Sequence, residues 1–313
     1  MKQRPKALIT DAVHPLLLEG LTAAGYNCDY FPKTTLAQVL EIIEDYQGIV
    51  INSKILVDRA FLEKASQLKF IGRLGSGLEI IDLDYAQKKG VQVHRAPDGN
   101  CDAVAEQAMG MLLAMAIKLK TGDIQVRQKI WEREAQRGWE LMGKTVAILG
   151  FGYTGSAFAQ RLQGFGVNIL VYDKYKTNYA QSIPYVTESS LEQIFEQTDI
   201  LSLHLPLTEE TIQYVNIDFL NKFKKSIVLI NTARGAIIPT KDLLEALDSK
   251  KVLGACLDVF ENEKPNTYTD EEEKEYKNLF SRNNILCSPH VAGWTKESKE
   301  RLAKILLNRI LNQ

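Results

Sequence analysis

Three absences narrow the reading before any motif is considered. Cysteine is scarce: Cys28, Cys101, Cys256 and Cys287 are the only four, and they show neither CxxC spacing nor a secreted disulfide pattern. Buried free thiols in a reducing compartment are therefore expected, and with them a cytoplasmic location. An excess of charge of either sign is missing too. With 38 Lys and Arg against 39 Asp and Glu, the formal net charge is -1, which leaves no electrostatic footprint for nucleic acid. Long hydrophobic runs are also lacking. The longest, Ala108 to Ile117, is too short to span a bilayer, and Met1 to Lys6 leads directly into strand-like Ala7 to Thr10 with no visible signal peptide. Metal ligands are not marked anywhere. The acidic run Asp270 to Glu275 reads as a solvated helix face or a mobile loop, so no metal is expected.

What is present is organised around Val146-Ala147-Ile148-Leu149-Gly150-Phe151-Gly152-Tyr153-Thr154-Gly155. An apolar strand runs into a G-x-G-x-x-G turn and then a helix. Gly150 makes the tight turn, Gly152 lets backbone approach a pyrophosphate, and Gly155 lets helix and strand pack closely. The helix N-terminus offers N–H groups and partial positive charge to a diphosphate. Asp173, eighteen residues past Gly155 and after the strand Asn168 to Tyr172, suits hydrogen bonds from the adenine ribose hydroxyls. Its charge should repel a 2′-phosphate, so NAD is the expected cofactor, with Lys174 and Lys176 softening the preference.

At 313 residues and 45% apolar, the chain can bury two cores. Before residue 100, strand-like runs at Ala7 to Thr10, Asn27 to Phe31, Gly48 to Ile51, Leu68 to Ile71 and Val91 to Val93 alternate with helical patterns. Such alternation predicts a parallel sheet with helices on both faces and ligands at the strands' carboxyl ends. Two loops there, Asn52-Ser53-Lys54 and Arg73-Leu74-Gly75-Ser76-Gly77, are candidates for substrate contacts, notably Ser53, Lys54, Gly75 and Ser76. Asn100 is a candidate N-cap for one long buried helix reaching about Lys120, and Trp131 and Trp139 are expected in the core, with an interface between subunits as the alternative.

After the glycine turn four more apolar strands deliver polar residues to a carboxyl edge. They end in His204-Leu205-Pro206-Leu207-Thr208, Asn231-Thr232-Ala233-Arg234-Gly235, Asp258 and Ser288-Pro289-His290. Hydride transfer to or from a 2-hydroxy or 2-keto acid needs a cation for the carboxylate, an acid/base for the hydroxyl proton, and a group that tunes it. Arg234 suits the first by bidentate geometry. His290 suits the second by its ordinary pKa, and Glu263 the third.

These pieces, in this order, resemble the D-isomer-specific 2-hydroxyacid dehydrogenases. The pieces are Gly143-Lys144-Thr145 before the glycine turn, His204 to Thr208, Asn231 to Gly235, Leu257-Asp258-Val259-Phe260-Glu261, and Ser288-Pro289-His290-Val291-Ala292-Gly293. The resemblance covers nearly the whole chain. It implies an α/β fold of two Rossmann-like or flavodoxin-like domains with parallel sheets. A NAD-binding domain over residues 99–288 would be inserted into a discontinuous substrate domain built from 1–98 and 289–313. Catalysis would fall to Arg234, Glu263 and His290. Cofactor contacts would come from the glycine turn with Tyr153 and Thr154, and from Asp173, His204, Pro206, Thr232, Ala233, Arg234, Asp258, His290 and Gly293. Substrate contacts would come from Ser53, Lys54, Gly75, Ser76, Asn100 and Arg234, and a homodimer would form through the nucleotide domain.

Departures from the family pattern leave choices open. Lys264 intervenes between Glu263 and Pro265, so Glu261 competes with Glu263 as partner of His290. Asn52-Ser53-Lys54 stands where Arg-Ser is usual, which leaves Lys54 as the cation of that loop. With Arg73 and Arg95 it motivates 3-phospho-D-glycerate, oxidised to 3-phosphohydroxypyruvate at the entrance to serine synthesis, as the expected substrate. Another D-2-hydroxy acid, as in glyoxylate/hydroxypyruvate reductases or D-lactate enzymes, is the alternative, and a non-catalytic NAD-sensing corepressor is a third reading.

Overall fold

The computed structural model describes residues 4–312. Its contacts divide the chain into two compact units, a flanking unit that ends at Cys101 and resumes at Trp294, and a central unit, Asp102–Gly293. The divisions fall at 101 and 293 rather than at 98 and 288.

The flanking unit holds β1 (Lys6–Ile9), α1 (Pro15–Ala23), β2 (Asn27–Tyr30), α2 (Leu36–Ile42), β3 (Gly48–Ile51), α3 (Arg59–Lys64), β4 (Phe70–Arg73), α4 (Leu83–Lys88) and β5 (Gln92–Arg95). The strands are parallel in the order β2-β1-β3-β4-β5, the doubly wound order of flavodoxin-like sheets. The central strand β3 reads Gly-Ile-Val-Ile and is buried throughout, because both faces of such a sheet are covered. Ile49, Ile51 and Phe61 fill one face. On the other, Leu17, Leu21 and Phe70 pack with Leu306 and Ile310 of the C-terminal helix, Lys296–Leu311. That helix starts at a capping box, Thr295 with Ser298, a feature worth about 1 kcal/mol. Strand β4 begins two residues later than its apolar run. Phe70 pairs with Gly48, and its ring fills the space where a Cβ on Gly48 would stand, 2.1 Å from Cζ.

The central unit takes in α5 (Cys101–Ala116, from its second residue), α6 (Leu119–Arg127), β6 (Thr145–Leu149), α7 (Tyr153–Leu162), β7 (Asn168–Tyr172), β8 (Thr187–Glu188), α8 (Leu191–Gln197) and β9 (Ile200–Leu203). It continues through α9 (Ile217–Asn221), β10 (Ile227–Asn231), α10 (Thr240–Asp248), β11 (Val252–Leu257), α11 (Asp270–Ser281) and β12 (Ile285–Cys287). Its seven parallel strands lie in the order β12-β11-β10-β9-β6-β7-β8. Strand order reverses between β6 and β9, the switch point at which doubly wound sheets bind ligands. The register lines up the strand ends. Leu149 pairs with Tyr172 and Leu203, Leu203 with Asn231, Asn231 with Leu257, and Leu257 with Cys287. The next residues, Gly150, Asp173, His204, Thr232, Asp258 and Ser288, therefore share one carboxyl edge.

The helix expected to run unbroken to Lys120 stops at Ala116 and restarts at Leu119. Lys118 adopts a left-handed conformation at φ 53°, and the Trp139 amide donates to the freed carbonyl of Ala116 at 3.0 Å. A partner far along the chain thus ends this helix. Asn100 precedes it but does not cap it: Asn100 Oδ1 is buried without a hydrogen-bond partner. Trp131 is not core but 68% exposed, close in sequence to exposed Leu119, Val126 and Ile130. The acidic run at 270–275 is the first half of α11, capped by Thr269, and all but Tyr276 and Leu279 on that helix lie outside the core.

Candidate active site

The glycine turn separates its three glycines by what surrounds them. Gly150 sits at φ +90°, and a Cβ on it would lie 2.4 Å from His204 O. A Cβ on Gly155 would lie 2.1 Å from Gly150 O. Both positions are closed by the protein itself. Gly152, the N-cap of α7, has ordinary φ of -87° and no side-chain cap, and a Cβ there would meet nothing within 4 Å. The turn thus leaves an open concavity at a ten-residue helix's N-terminus, next to exposed Tyr153 and half-buried Thr154. Asp173 is fixed at the end of β7, its two oxygens accepting the amides of Phe151 (3.0 Å) and Tyr175 (3.1 Å). Thr232 Oγ1, at the same edge, is buried with no hydrogen-bond partner. An open backbone cradle, an oriented carboxylate and an orphaned hydroxyl fit a dinucleotide.

Two residues expected at the cofactor have side chains committed to the interior. His204 is buried, its Nε2 2.9 Å from Ser202 Oγ and its ring against Phe158. Burial drives its pKa down to about 3, so it stays neutral. Asp258 is fully buried. Its carboxylate accepts the amides of Val291 (3.0 Å) and Ala292 (2.9 Å) and the Ser288 hydroxyl. It shapes the loop that carries His290, because those donors would otherwise be buried unpaired. Pro206 is exposed, its carbonyl accepting from Thr211 Oγ1 at 2.6 Å, and Gly293 is half-buried.

Arg234 follows β10. Asn231, at the strand's buried last position, accepts Ala233 N (3.0 Å) and donates from Nδ2 to Arg234 O (2.9 Å), which fixes the turn. Arg234 itself donates to Ala233 O at 2.7 Å. Gly235 lets this loop touch the one after β11, since a Cβ there would lie 1.9 Å from Phe260 backbone.

The second loop carries Glu263. Its Oε2 lies 2.8 Å from His290 Nδ1, and its Oε1 accepts Phe260 N at 3.3 Å. Glu261, the competitor, instead accepts the Thr240 amide. The extra Lys264 is absorbed by a turn in which its amide donates to Asn262 Oδ1 at 3.0 Å. His290 has φ of 55°, a strained choice for a side chain with a Cβ. Its amide, donating to Asp258 O at 2.8 Å, helps to hold it there. Hydrogen bonding to Glu263 raises the His290 pKa, against burial and the Arg234 charge. Burial would raise that of Glu263, but the His290 bond and charge, with Arg234 contributing, bring it below its ordinary value. The field of Arg234 therefore reaches both members of the pair, and the three residues from separate loops form one electrostatic group.

The flanking unit's candidates lie at its own carboxyl edge. Ser53 and Lys54 are exposed, with Lys54 Nζ bonded to Pro32 O (2.8 Å) and 3.8 Å from Asp11 Oδ1. Gly75, at φ +142°, is closed over by Arg73, whose Nη1 also bonds Asn52 Oδ1 at 3.0 Å. Ser76 O accepts from Arg95 at 3.1 Å. The sequence puts Asn231 and Ser288 at the carboxyl edge without assigning them a role, and does not mark Gln107, which donates to Ser288 Oγ at 3.2 Å. A polar residue ending an apolar strand was the available signal for the first two; nothing local marked Gln107.

Two parallel doubly wound sheets, one headed by an open glycine turn with an acid after the neighbouring strand, define a dinucleotide-binding α/β protein. Residues 109–292 match the model of the D-isomer specific 2-hydroxyacid dehydrogenase NAD binding domain. A hydroxypyruvate reductase of Thermotoga maritima is 36% identical over 276 residues, 88% of this chain and 87% of that protein. A D-3-phosphoglycerate dehydrogenase of Methanocaldococcus jannaschii is 33% identical over 306 residues, 97% of this chain but 56% of that protein, so the chain spans little more than half of that longer relative. Among solved structures, the D-lactate dehydrogenase of Aquifex aeolicus in complex with NAD and lactic acid superposes with a TM-score of 0.86 at 26% identity, covering 98% of this chain and 94% of that one. The chain belongs to the D-isomer specific 2-hydroxyacid dehydrogenase family. It is an oxidoreductase of that family and uses a nicotinamide dinucleotide.

Proposed function

We propose that the protein interconverts a short D-2-hydroxy acid and its 2-keto acid, with NAD preferred to NADP. The observation that carries this reading is the His290 and Glu263 pair, 2.8 Å apart, in the field of Arg234 at the carboxyl edge of the sheet that bears the glycine turn. Arg234 binds the substrate carboxylate and polarises the C2 oxygen. His290, with Nδ1 held by Glu263, has Nε2 left for the C2 oxygen. It takes the hydroxyl proton in oxidation and returns it in reduction. Glu263 fixes the imidazole's tautomer and favours its protonated form. Once bound, the nicotinamide supplies the hydride acceptor or donor. Gly152 and the α7 N-terminus hold its diphosphate, and Asp173 its adenine ribose. Tyr153, Thr154, Thr232 and Ala233 complete that site, with backbone alone contributing from His204.

Further substrate contacts, in this reading, come from Ser53, Lys54, Gly75, Ser76 and Asn100. The substrate favoured is unphosphorylated, hydroxypyruvate or glyoxylate. Lys54, Arg73 and Arg95 motivated a phosphate, but each already donates to one of the chain's own acceptors, so a phosphate would share these cations with the protein. A relative of matching length that reduces hydroxypyruvate points the same way. The test is turnover with NAD(H) across hydroxypyruvate, glyoxylate, pyruvate and 3-phosphoglycerate. Faster oxidation of phosphoglycerate than of glycerate would reverse the substrate choice. NAD binding without turnover of any of these acids would leave a cofactor-sensing role instead.

The reading includes a homodimer through the central unit, supported by exposed Leu119, Val126, Ile130 and Trp131. Sedimentation of the wild type and of Trp131→Glu tests it. A cytoplasmic location accords with four free cysteines among the described residues. No helix among those residues is long and apolar enough to cross a membrane.

A further inference from the structure

Directly after Asp173 come Lys174, Tyr175 and Lys176, all exposed. Under the cofactor reading above, on which this inference rests, cations at this point are what a ribose 2′-phosphate would recruit. Both lysines are committed elsewhere in the central unit. Lys176 Nζ donates to Phe151 O at 2.6 Å. Lys174 Nζ lies 2.8 Å from Glu210 Oε2 and 5.5 Å from the centre of the Tyr175 ring, and the Tyr175 hydroxyl donates to the same Glu210 oxygen. Glu210 stands on the loop after β9, 36 residues from Lys174, so the contact joins the two edges that flank the glycine-turn strand. Asp173 is already oriented by two backbone amides.

We propose that Glu210 is a specificity-determining residue for the cofactor: by engaging Lys174 and Tyr175 it withholds from a 2′-phosphate the ammonium group nearest in sequence to the ribose carboxylate. Asp173 alone therefore does not set the preference for NAD. The mutual hydrogen bond raises the Lys174 pKa and lowers that of Glu210, as a formed ion pair requires. Because the pair is exposed, its strength is modest, and the effect on cofactor choice is severalfold rather than thousandfold.

The experiment measures dissociation constants of NAD and NADP by calorimetry for the wild type, Glu210→Ala, Lys174→Ala and the double variant. Glu210→Ala is expected to raise the NADP to NAD affinity ratio about threefold to tenfold, and the gain should shrink as salt is added. Adding Lys174→Ala should abolish it. All side chains changed are solvent-exposed, and unchanged thermal midpoints confirm intact folding. A ratio within about twofold of wild type in Glu210→Ala, or a gain that survives in the double variant, overturns the proposal. Failure of the wild type to bind either dinucleotide is a different outcome, which overturns the cofactor reading and this inference with it.

Discussion

Glu263 Oε2 and His290 Nδ1 lie 2.8 Å apart, although they belong to different loops. Because the carboxylate raises the imidazole pKa above its ordinary 6.5, the base needed for oxidation forms at higher pH than a free histidine would allow. The rate of hydroxy-acid oxidation should rise with pH through a value above 6.5, and keto-acid reduction should fall over the same range. Glu263→Gln should move that limb to lower pH, and His290→Ala should cut kcat by about 10² to 10⁴ with little change in NAD affinity. A limb that stays put in Glu263→Gln would show that the pair does not tune the acid/base.

The same pair has a signature in stability. His290, with its folded pKa raised, contributes stability that is complete below 6.5 and is lost as pH rises through the folded value. Glu263, with its folded pKa lowered, contributes above 4.5 and loses that contribution as pH falls. The combined contribution should therefore be largest between 4.5 and 6.5. Both side chains are substantially exposed, so the difference in thermal midpoint between wild type and Glu263→Gln should be small, and greatest in that window.

Arg234→Ala should reduce kcat/KM by at least about tenfold to a hundredfold, the worth of hydrogen bonds to a charged partner. Both kcat and KM should suffer, since the guanidinium is assigned to the carboxylate and to the C2 oxygen. Steady-state kinetics with hydroxypyruvate check this. An unchanged KM would contradict carboxylate binding.

Among the glycines, substitution should separate folding from cofactor binding. Gly152→Ala places its Cβ in open space, so stability should change by less than about 1 kcal/mol while NAD affinity falls by about tenfold or more. Gly155→Ala drives a Cβ to 2.1 Å from Gly150 O and should cost more than about 2 kcal/mol. Denaturant melts paired with NAD titrations distinguish the two. Comparable NAD affinity in wild type and Gly152→Ala would place the diphosphate elsewhere.

Asp258→Ala should be among the most disruptive changes at the edge. It strands the Val291 and Ala292 amides and the Ser288 hydroxyl, and each buried donor left unpaired costs about 1 to 3 kcal/mol. Denaturation midpoints check the stability. Turnover per folded molecule should also fall, because the loop that carries His290 loses the carboxylate that holds its next two amides.

The strand ends and the residues they deliver were legible in the sequence, because apolar runs covered on both faces stop sharply where the chain turns polar. Gly150, Arg234 and His290 are readable for that reason. Whether a delivered side chain turns inward was not, since the sequence gives no sign that His204 bonds Ser202 or that Asp258 serves amides more than thirty residues away. The break at Lys118 escaped for a similar reason: Trp139, from outside the helix, satisfies the Ala116 carbonyl. Between Glu263 and Glu261 the sequence leaves a choice, and the structure puts Glu263 on His290 and Glu261 on the Thr240 amide.

The C-terminal helix completes a core whose other members, Ala7, Leu17, Leu21 and Phe70, lie at the opposite end of the polypeptide. A ribosome therefore releases the five-stranded sheet long before it can be sealed, and that oily side must wait, covered only in part by α1, while some two hundred intervening residues emerge and fold. Truncating the last sixteen-residue helix would make that vulnerable interval permanent, turning a catalyst into a client of chaperones.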